Sequence, residues 1–228
     1  IQPSHDEPAM ARTNVHGSWR VFDAVARAGV PSLVYASSVG AYADGPKDRH
    51  VDESWPIGGI ETSFYSRHKA TVERMLDRFE AEHPSVRVVR LRPALIFKEG
   101  QASEARRFFL GPFVPGIVLR PDLLPVLPEI KGLRFQAVHT DDVADAYRRA
   151  IVGDARGAFN IAAAPDLDLP TIAREIDATT VRVPAGVVRA LIRGTWALHL
   201  QPTPVGWFEM GMRVPQLSAA RADRELGW

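Results

Sequence analysis

Residues 32–38 read Ser-Leu-Val-Tyr-Ala-Ser-Ser, a short apolar run that ends in two hydroxyl side chains. A run this short and nearly continuous is typical of a strand buried on both faces of a parallel sheet. Residues 15–28, just before it, place apolar side chains on one face at helical spacing, and Gly29 follows where a left-handed C-cap is needed. A helix followed by a buried strand indicates an α/β fold.

The same alternation of helix and strand continues along the chain. We predict a helix over 64–82 and a second buried strand over 86–91, which Pro93 ends because proline lacks a backbone donor. Residues 94–130 are rich in proline and glycine and indicate an irregular lobe with one helical stretch at 105–110. The later elements are predicted as a strand over 133–139, a helix from Asp141 or Asp142 to Val152, a buried strand over 159–162, and tail helices starting at Pro170, spanning 185–199, and running from Ser218 to Gly227.

Composition argues against several classes of protein. The 28 basic and 27 acidic side chains leave a net charge of +1, so the chain lacks the positive field of a nucleic-acid binder. Cysteine is absent, which excludes disulfides and thiolate metal sites and indicates a reducing compartment, the cytoplasm. No apolar run approaches the roughly 20 residues that span a bilayer, so no membrane partner is expected. The sequence has no His-x-x-x-His pattern or carboxylate cluster, so no metal site is expected either.

Tyr65 and Lys69 lie four residues apart on the predicted helix, so their side chains emerge on one face. An ammonium beside a phenol favours the phenolate and lowers the phenol pKa from its usual value of about 10, which suits proton exchange with a substrate hydroxyl. Ser37 and Ser38 follow the first strand, at the edge where open α/β sheets bind ligands. The pair can also be structural, with Tyr65 a half-buried aromatic at a helix start and Lys69 a solvated side chain.

A series of short motifs surrounds this pair along almost the whole chain: Asn14-Val15-His16-Gly17-Ser18, Ala28-Gly29-Val30, Val34-Tyr35-Ala36-Ser37-Ser38 with Tyr42, Val51-Asp52-Glu53, Tyr65-Ser66-Arg67-His68-Lys69-Ala70 with Glu73, Leu91-Arg92-Pro93, His139-Thr140-Asp141-Asp142-Val143-Ala144, Phe159-Asn160-Ile161 and Glu225-Leu226-Gly227-Trp228. In content and order they resemble the extended short-chain dehydrogenase/reductase family, also called NAD-dependent epimerase/dehydratase. The resemblance implies NAD or NADP as cofactor and a small-molecule substrate. It also implies the C-terminal part of a doubly wound parallel, Rossmann-type sheet with a small mixed substrate lobe.

The resemblance assigns a role to each matching residue. Ser38 stands four residues before Tyr42, which gives it the family's substrate-oxygen role and makes Ser37 a neighbour near the cofactor. Tyr65 becomes the general acid/base, and Lys69 both tunes it and holds the nicotinamide ribose. The backbone at Pro93 is expected close to the nicotinamide amide. Family members often dimerise through the helices that correspond to 15–28 and 64–82, so a homodimer is expected.

The part of the family that cradles the cofactor pyrophosphate is missing from this sequence. The family begins with a strand, a glycine-rich loop and a helix, whereas this sequence begins at Ile1, at a point matching the loop after the fourth family strand. We therefore expect a truncated chain that binds NAD(P) weakly or not at all alone. The expected division is a partial Rossmann-type domain at 1–94 and 132–163, lacking four strands, and a substrate-binding lobe at 95–131 and 164–228.

Two departures from the family bear on the substrate. Val39 and Gly40 stand where sugar-nucleotide dehydratases of the family carry an acidic pair, which disfavours dehydration. Residues 91–99 lack the asparagine and Gly-Pro turn with which many sugar-nucleotide epimerases of the family meet the diphosphate, which puts a nucleotide sugar in doubt. Leu95 and the apolar stretch 112–128 suggest a less polar pocket, and hence a small carbonyl or alcohol, although they can equally form lobe core. The alternatives are a nucleotide-sugar epimerase and a non-catalytic binding or sensor member or inactive fragment.

Overall fold

The computed structural model describes residues 5–98, 126–175 and 177–228. The described helices are α1 Glu7–Ala11, α2 Gly17–Arg27, α3 Phe64–Glu82, α4 Thr140–Val152, α5 Leu169–Glu175, α6 Ala185–Ala197 and α7 Val205–Arg213. The described strands are β1 Ser32–Ala36, β2 His50–Val51, β3 Arg87–Pro93, β4 Leu95–Phe97, β5 Val126–Glu129, β6 Arg134–Phe135, β7 Ala137–His139, β8 Gly157–Ile161, β9 Leu167–Asp168, β10 Thr179–Arg182 and β11 Gln216–Leu217.

The main sheet of the described chain is parallel and runs in the order β1-β3-β8. Neighbouring residues of β3 face opposite sides of it, as the pleat requires. Val88 belongs to a buried cluster with Phe22 of α2 and Leu76 of α3, whereas Val89 belongs to a second cluster with Ala146 of α4. Helices therefore cover both faces, which confirms the predicted doubly wound, Rossmann-type arrangement.

The elements that border the candidate site fall where periodicity placed them. Strand β1 ends at Ala36, directly before the two serines, and helix α3 spans 64–82 as predicted. Strand β3 extends two residues beyond the prediction because Pro93 pairs with Ile161 as the last residue of the strand. The register sets Ala36 opposite Leu91, so the carboxyl ends of β1 and β3 lie at one edge of the sheet.

Several predicted boundaries differ from the structure, and three of the differences lie near the N-terminus or around α4. The helix predicted over 15–28 corresponds to α2, and the structure adds in front of it a π-helical turn, Arg12–His16, and the unpredicted helix α1, whose N-cap Asp6 accepts from the Ala9 N–H. Helix α4 is capped by the His139 ring rather than by an aspartate. The strand predicted over 133–139 is split into β6 and β7.

The rest of the described chain consists of short strand pairs and helices that return to this sheet. Strand β2 pairs with β11, β4 with β7, β5 with β10 and β6 with β9. Helix α7, which periodicity did not predict, packs against the start of α3. The helical stretch predicted at 105–110 lies outside the described residues, and the division into two domains stays a prediction. Over the ranges described, every helix is too short or too polar to cross a bilayer.

Candidate active site

The two serines after β1 face different partners. The Ser37 hydroxyl is buried and donates to Oε1 of Glu73 on α3, with 2.5 Å between the oxygens. Ser38 caps a short 3₁₀ turn, Val39–Ala41, and its Oγ accepts from the backbone N–H of Gly40 at 3.0 Å. Ser38 also hydrogen-bonds to Tyr65. Of the two predicted serines, Ser38 therefore lies beside the candidate acid/base, whereas the hydroxyl of Ser37 is held by a carboxylate.

Helix α3 is fixed to the end of β1 by polar contacts on both sides of Tyr65. Ser63 caps the helix, accepting from the Ser66 N–H at 3.4 Å, and the Ser66 hydroxyl donates to the Gly40 carbonyl. One turn further along, the Lys69 ammonium donates to the Ala36 carbonyl. Its Nζ is 5.9 Å from the centroid of the Tyr65 ring. The structure thus brings Ser38, Tyr65 and Lys69 to one place at the sheet edge.

The predicted lowering of the Tyr65 pKa is wrong for this structure. Burial raises the pKa of Tyr65, and its hydrogen bond with Ser38 only partly opposes that rise. Burial likewise lowers the pKa of Lys69 to about 8, although the negative charge of Glu73 acts in the opposite direction. The physical reason is desolvation: both groups lose water that would stabilise their charged forms, and the ammonium points to a backbone carbonyl. The phenol is therefore the stable form of Tyr65.

Glu73 is the residue that sequence reasoning quoted but gave no role. Its side chain is fully buried and accepts from Ser37, from Arg90 Nη1 at 3.1 Å, and from Arg92 Nε and Nη2 at 2.9 and 3.0 Å. Burial alone would raise the pKa of Glu73, but the bonds from Arg92 and Ser37 and the two guanidinium charges lower it overall. The sequence signal that could have given Glu73 a role was its spacing of four residues from Lys69, because that spacing places both side chains on one helix face.

The network continues from Arg92 through other motif residues. Arg92 Nη1 lies 2.9 Å from the Tyr42 hydroxyl, which donates to Oδ1 of Asn160 at 2.7 Å. The backbone N–H of Asn160 donates to the Glu53 carboxylate at 2.8 Å. These polar groups join α3, β3 and β8 beneath the site. Pro93, the predicted cofactor neighbour, is buried at the end of β3 on the same sheet edge.

A pocket of about 150 Å³ opens beside Tyr65 and Lys69. Its lining side chains are mostly polar and come from the π-helical turn, α2, β1 and α3: Thr13, Asn14, Ser18, Tyr35, Tyr65, His68, Lys69 and Val72. In the ranges that the structure covers, no three histidine, aspartate or glutamate side chains form a cluster suited to a metal. The arrangement is suited to moving a proton at an oxygen next to a hydroxyl and an ammonium.

A doubly wound sheet with a serine, a tyrosine and a lysine at its carboxyl edge defines a class of nucleotide-dependent α/β proteins. The chain belongs to the NAD dependent epimerase/dehydratase family, whose sequence profile matches residues 2–162. This membership confirms the resemblance inferred from the motifs.

Curated relatives match only part of this chain. Sterol-4-alpha-carboxylate 3-dehydrogenase (decarboxylating) of Saccharomyces cerevisiae is 37% identical over 87 residues, which cover 38% of this chain and 25% of that enzyme. UDP-glucose 4-epimerase of Neisseria gonorrhoeae is 37% identical over 79 residues, which cover 35% of this chain and 23% of that enzyme. The aligned parts thus span about a quarter of each relative's length. The family is one of NAD dependent epimerases and dehydratases, and these two relatives are a 3-dehydrogenase and a 4-epimerase.

Solved structures share the fold over nearly the whole chain. UDP-glucose 4-epimerase of Thermotoga maritima, solved with UDP-glucose, superposes with a TM-score of 0.67 at 21% identity, covering 98% of this chain and 66% of that one. The dTDP-glucose 4,6-dehydratase of Bacillus anthracis, solved with NAD, gives a TM-score of 0.66 at 18% identity, covering 95% of this chain and 62% of that one. At these identities the likeness defines the Rossmann-type fold alone.

Proposed function

We propose that this chain carries the catalytic residues of an NAD(P)-dependent oxidoreductase or epimerase that acts on a small carbonyl or alcohol. The observation that supports this most directly is the convergence of Ser38, Tyr65 and Lys69 at the carboxyl edge of the sheet. Three groups from two elements meet where open α/β sheets bind ligands. A non-catalytic binding or sensor member would have no need of all three.

The proposed chemistry is a proton transfer by Tyr65. Its pKa is raised by burial, so the phenol holds its proton until a substrate oxygen gains negative charge, and it then donates. In the reverse direction the phenolate accepts the proton of a substrate hydroxyl. The Ser38 hydroxyl, hydrogen-bonded to Tyr65, is placed to hold that same oxygen. A nicotinamide cofactor, when bound, would supply hydride-transfer chemistry at the carbon that carries this oxygen.

The residues present fit one end of the cofactor. An ammonium has three N–H donors, and Lys69 uses one on the Ala36 carbonyl beside the 150 Å³ pocket. The other donors suit the hydroxyls of the nicotinamide ribose. Cofactor contacts by Ser37 and Pro93 stay predictions. The sequence has no Gly-x-Gly-x-x-Gly loop to hold a pyrophosphate, so we expect these 228 residues alone to bind NAD or NADP weakly.

The substrate class follows from the surroundings of Tyr65. Val39 and Gly40 provide no acid or base for eliminating water, and apolar side chains pack on the same side of the phenol. These features favour a carbonyl or alcohol over a dehydration substrate. A nucleotide-sugar epimerase is the second candidate, since the similarity to the Neisseria epimerase equals that to the yeast sterol enzyme in percentage identity.

Assembly as a homodimer through the faces of α2 and α3 is part of the same proposal. Trp19 on α2 is 58% exposed, and a groove of about 380 Å³ runs between the two helices beside Phe22, Met75 and Phe79. The groove is lined by apolar and charged side chains, the latter including Asp23 and Arg78, and the exposed tryptophan beside it is suited to burial against a second copy.

The test uses the full-length gene product. NAD and NADP are titrated by protein fluorescence, and ketones, secondary alcohols and nucleotide sugars are screened for cofactor-dependent turnover. We expect binding of at least one cofactor and turnover that falls at least 100-fold in Ser38→Ala, with no change in the control Ser54→Ala, an exposed serine bonded to Asp52. Absence of cofactor binding in the complete protein would remove the enzyme hypothesis.

A further inference from the structure

Helix α6, Ala185–Ala197, carries an apolar face that is open to solvent. Val187 and Leu191 on the helix and Leu198 directly after it are 57%, 66% and 70% exposed. Helical spacing places these three side chains on one side of the helix. The other exposed residues on that side are small: Gly186, Ala190, Gly194 and Ala197. A continuous apolar surface of this kind marks an interaction site.

The opposite side of α6 holds the helix against the rest of the protein. Arg189 forms an ion pair with Glu209 of α7, and the Trp196 ring stacks on the His5 ring with centroids 4.7 Å apart. Ile192, on the same side, is partly buried. Because α6 is fixed through this side, its apolar face is presented outward without any rearrangement of the fold.

The charges around the apolar face are mainly positive. Residues 178–208 contain three arginines and neither aspartate nor glutamate. Arg193 is exposed, lies by helical spacing at the edge of the face, and forms no ion pair with another described residue. The Arg182 side chain is 88% exposed, and its contact of 3.4 Å with Glu129 is a surface pair of the kind that contributes little. Asp177, just before this stretch, lies at the far end of β10 from α6.

We propose that the apolar face of α6 binds the surface of an anionic lipid bilayer, with the helix lying in the plane of the headgroups. In such an arrangement the apolar side chains enter the boundary between headgroups and acyl chains, and basic side chains meet the lipid phosphates. The sequence expectation of no membrane partner concerned a spanning segment, which an interfacial helix does not need. A second copy of the chain fits less well, because two α6 faces would bring arginines together without a carboxylate on either face.

Bilayer contact through α6 would bring the candidate active site close to lipid. Helix α6 packs against α7, and Trp207 of α7 stacks on the Tyr65 ring with centroids 4.7 Å apart. One helix therefore separates the proposed bilayer contact from the acid/base residue. The inference goes beyond the proposed function and does not depend on it, since it concerns where the protein binds and not what it turns over.

The test measures sedimentation of the full-length protein with sucrose-loaded vesicles of phosphatidylcholine, with and without phosphatidylglycerol. We expect binding to the anionic vesicles that weakens as salt rises. Leu191→Gln should weaken it by roughly 10-fold or more, the order of magnitude for withdrawing one leucine from an apolar phase. Arg193→Gln should weaken it by roughly 5-fold, and only on anionic vesicles. The matched control is Ile151→Gln, on α4, where the isoleucine is 59% exposed, and it should bind like the parent.

Several outcomes would overturn the inference. Absence of parent binding to either kind of vesicle would do so, as would an equal loss in Leu191→Gln and Ile151→Gln. Equal binding to both kinds of vesicle would overturn the assignment of an anionic surface. Self-association that Leu191→Gln abolishes, without vesicle binding, would identify a second copy as the occupant and overturn the bilayer. Where circular dichroism shows that Leu191→Gln fails to fold, Leu198→Gln, beyond the last turn of α6, takes its place.

Discussion

Replacing Glu73 with glutamine removes one negative charge from a buried site that holds two arginines. Glu73 is fully buried and accepts hydrogen bonds from Ser37, Arg90 and Arg92. Glutamine keeps the size of the side chain but takes the negative charge of Glu73 away from both guanidinium groups. The fold therefore loses an ion pair and keeps the cost of burying its cation.

The size of the loss in stability depends on which interaction partners Arg90 and Arg92 keep. Arg90 also pairs with the carboxylates of Asp77 and Glu80, so it retains negative partners. Among the described residues, the hydrogen-bond partners that Arg92 retains are neutral, namely the Tyr42 hydroxyl and the Glu53 carbonyl. Breaking a buried pair by removing one partner costs about 3–5 kcal/mol. Since one of the two arginines is still compensated, we expect a loss near the lower end, about 3 kcal/mol.

Urea unfolding at pH 7, followed by far-UV circular dichroism, measures this loss as a change in the free energy of unfolding. The matched control is Glu80→Gln, which removes a partly exposed carboxylate from Arg90 and should cost less than about 1 kcal/mol. The pKa of Glu73 is lowered in the fold, so its contribution is present above the unfolded value of about 4.3 and disappears as pH falls through the folded value. A loss below 1 kcal/mol at pH 7, or a difference that persists undiminished at low pH, would refute the reasoning.

Three further predictions concern packing, assembly and pH. Gly206→Ala should destabilise the protein by about 1–3 kcal/mol, because the added Cβ would meet the backbone of Thr62 and Ser63. Gly186→Ala, on α6, has open space around the added Cβ and should be neutral or stabilising in thermal unfolding. The full-length protein should sediment as a dimer, and Trp19→Glu should shift it toward monomer; a monomeric parent contradicts the proposed interface. Carbonyl reduction should slow as pH rises through about 8, where Lys69 loses its charge, and a rate still rising above pH 9 would exclude that role.

The sequence was most informative where periodicity and burial agree. Helix α3 and strand β1 carry strong patterns because their apolar faces meet one core cluster, and their predicted bounds match the structure. Helix α1 was missed although Asp6 followed by Pro8 is a helix-start signal. Helix α7 was missed because Gly206 and Gly211 lower its helix propensity, and packing against α3 overrides that cost.

The site was predictable in its local spacing and not in its long-range pairing. The four-residue spacing of Tyr65 and Lys69 placed both at the site. The hydrogen-bond partner of Ser37 depends on how β1 packs against α3. No local sequence pattern contains that information. The pKa of Tyr65 was missed because burial could not be weighed against the Lys69 charge.

The proton transfer assigned to Tyr65 is tested most directly by Tyr65→Phe in the full-length protein. Phenylalanine keeps the ring and its stack on Trp207 but removes the hydroxyl that meets Ser38. We expect kcat to fall by at least 100-fold, with the dissociation constant of the cofactor changed by no more than about 5-fold, since the loss of one hydrogen bond is worth about 1 kcal/mol. Turnover within a factor of two of the parent would contradict the assignment.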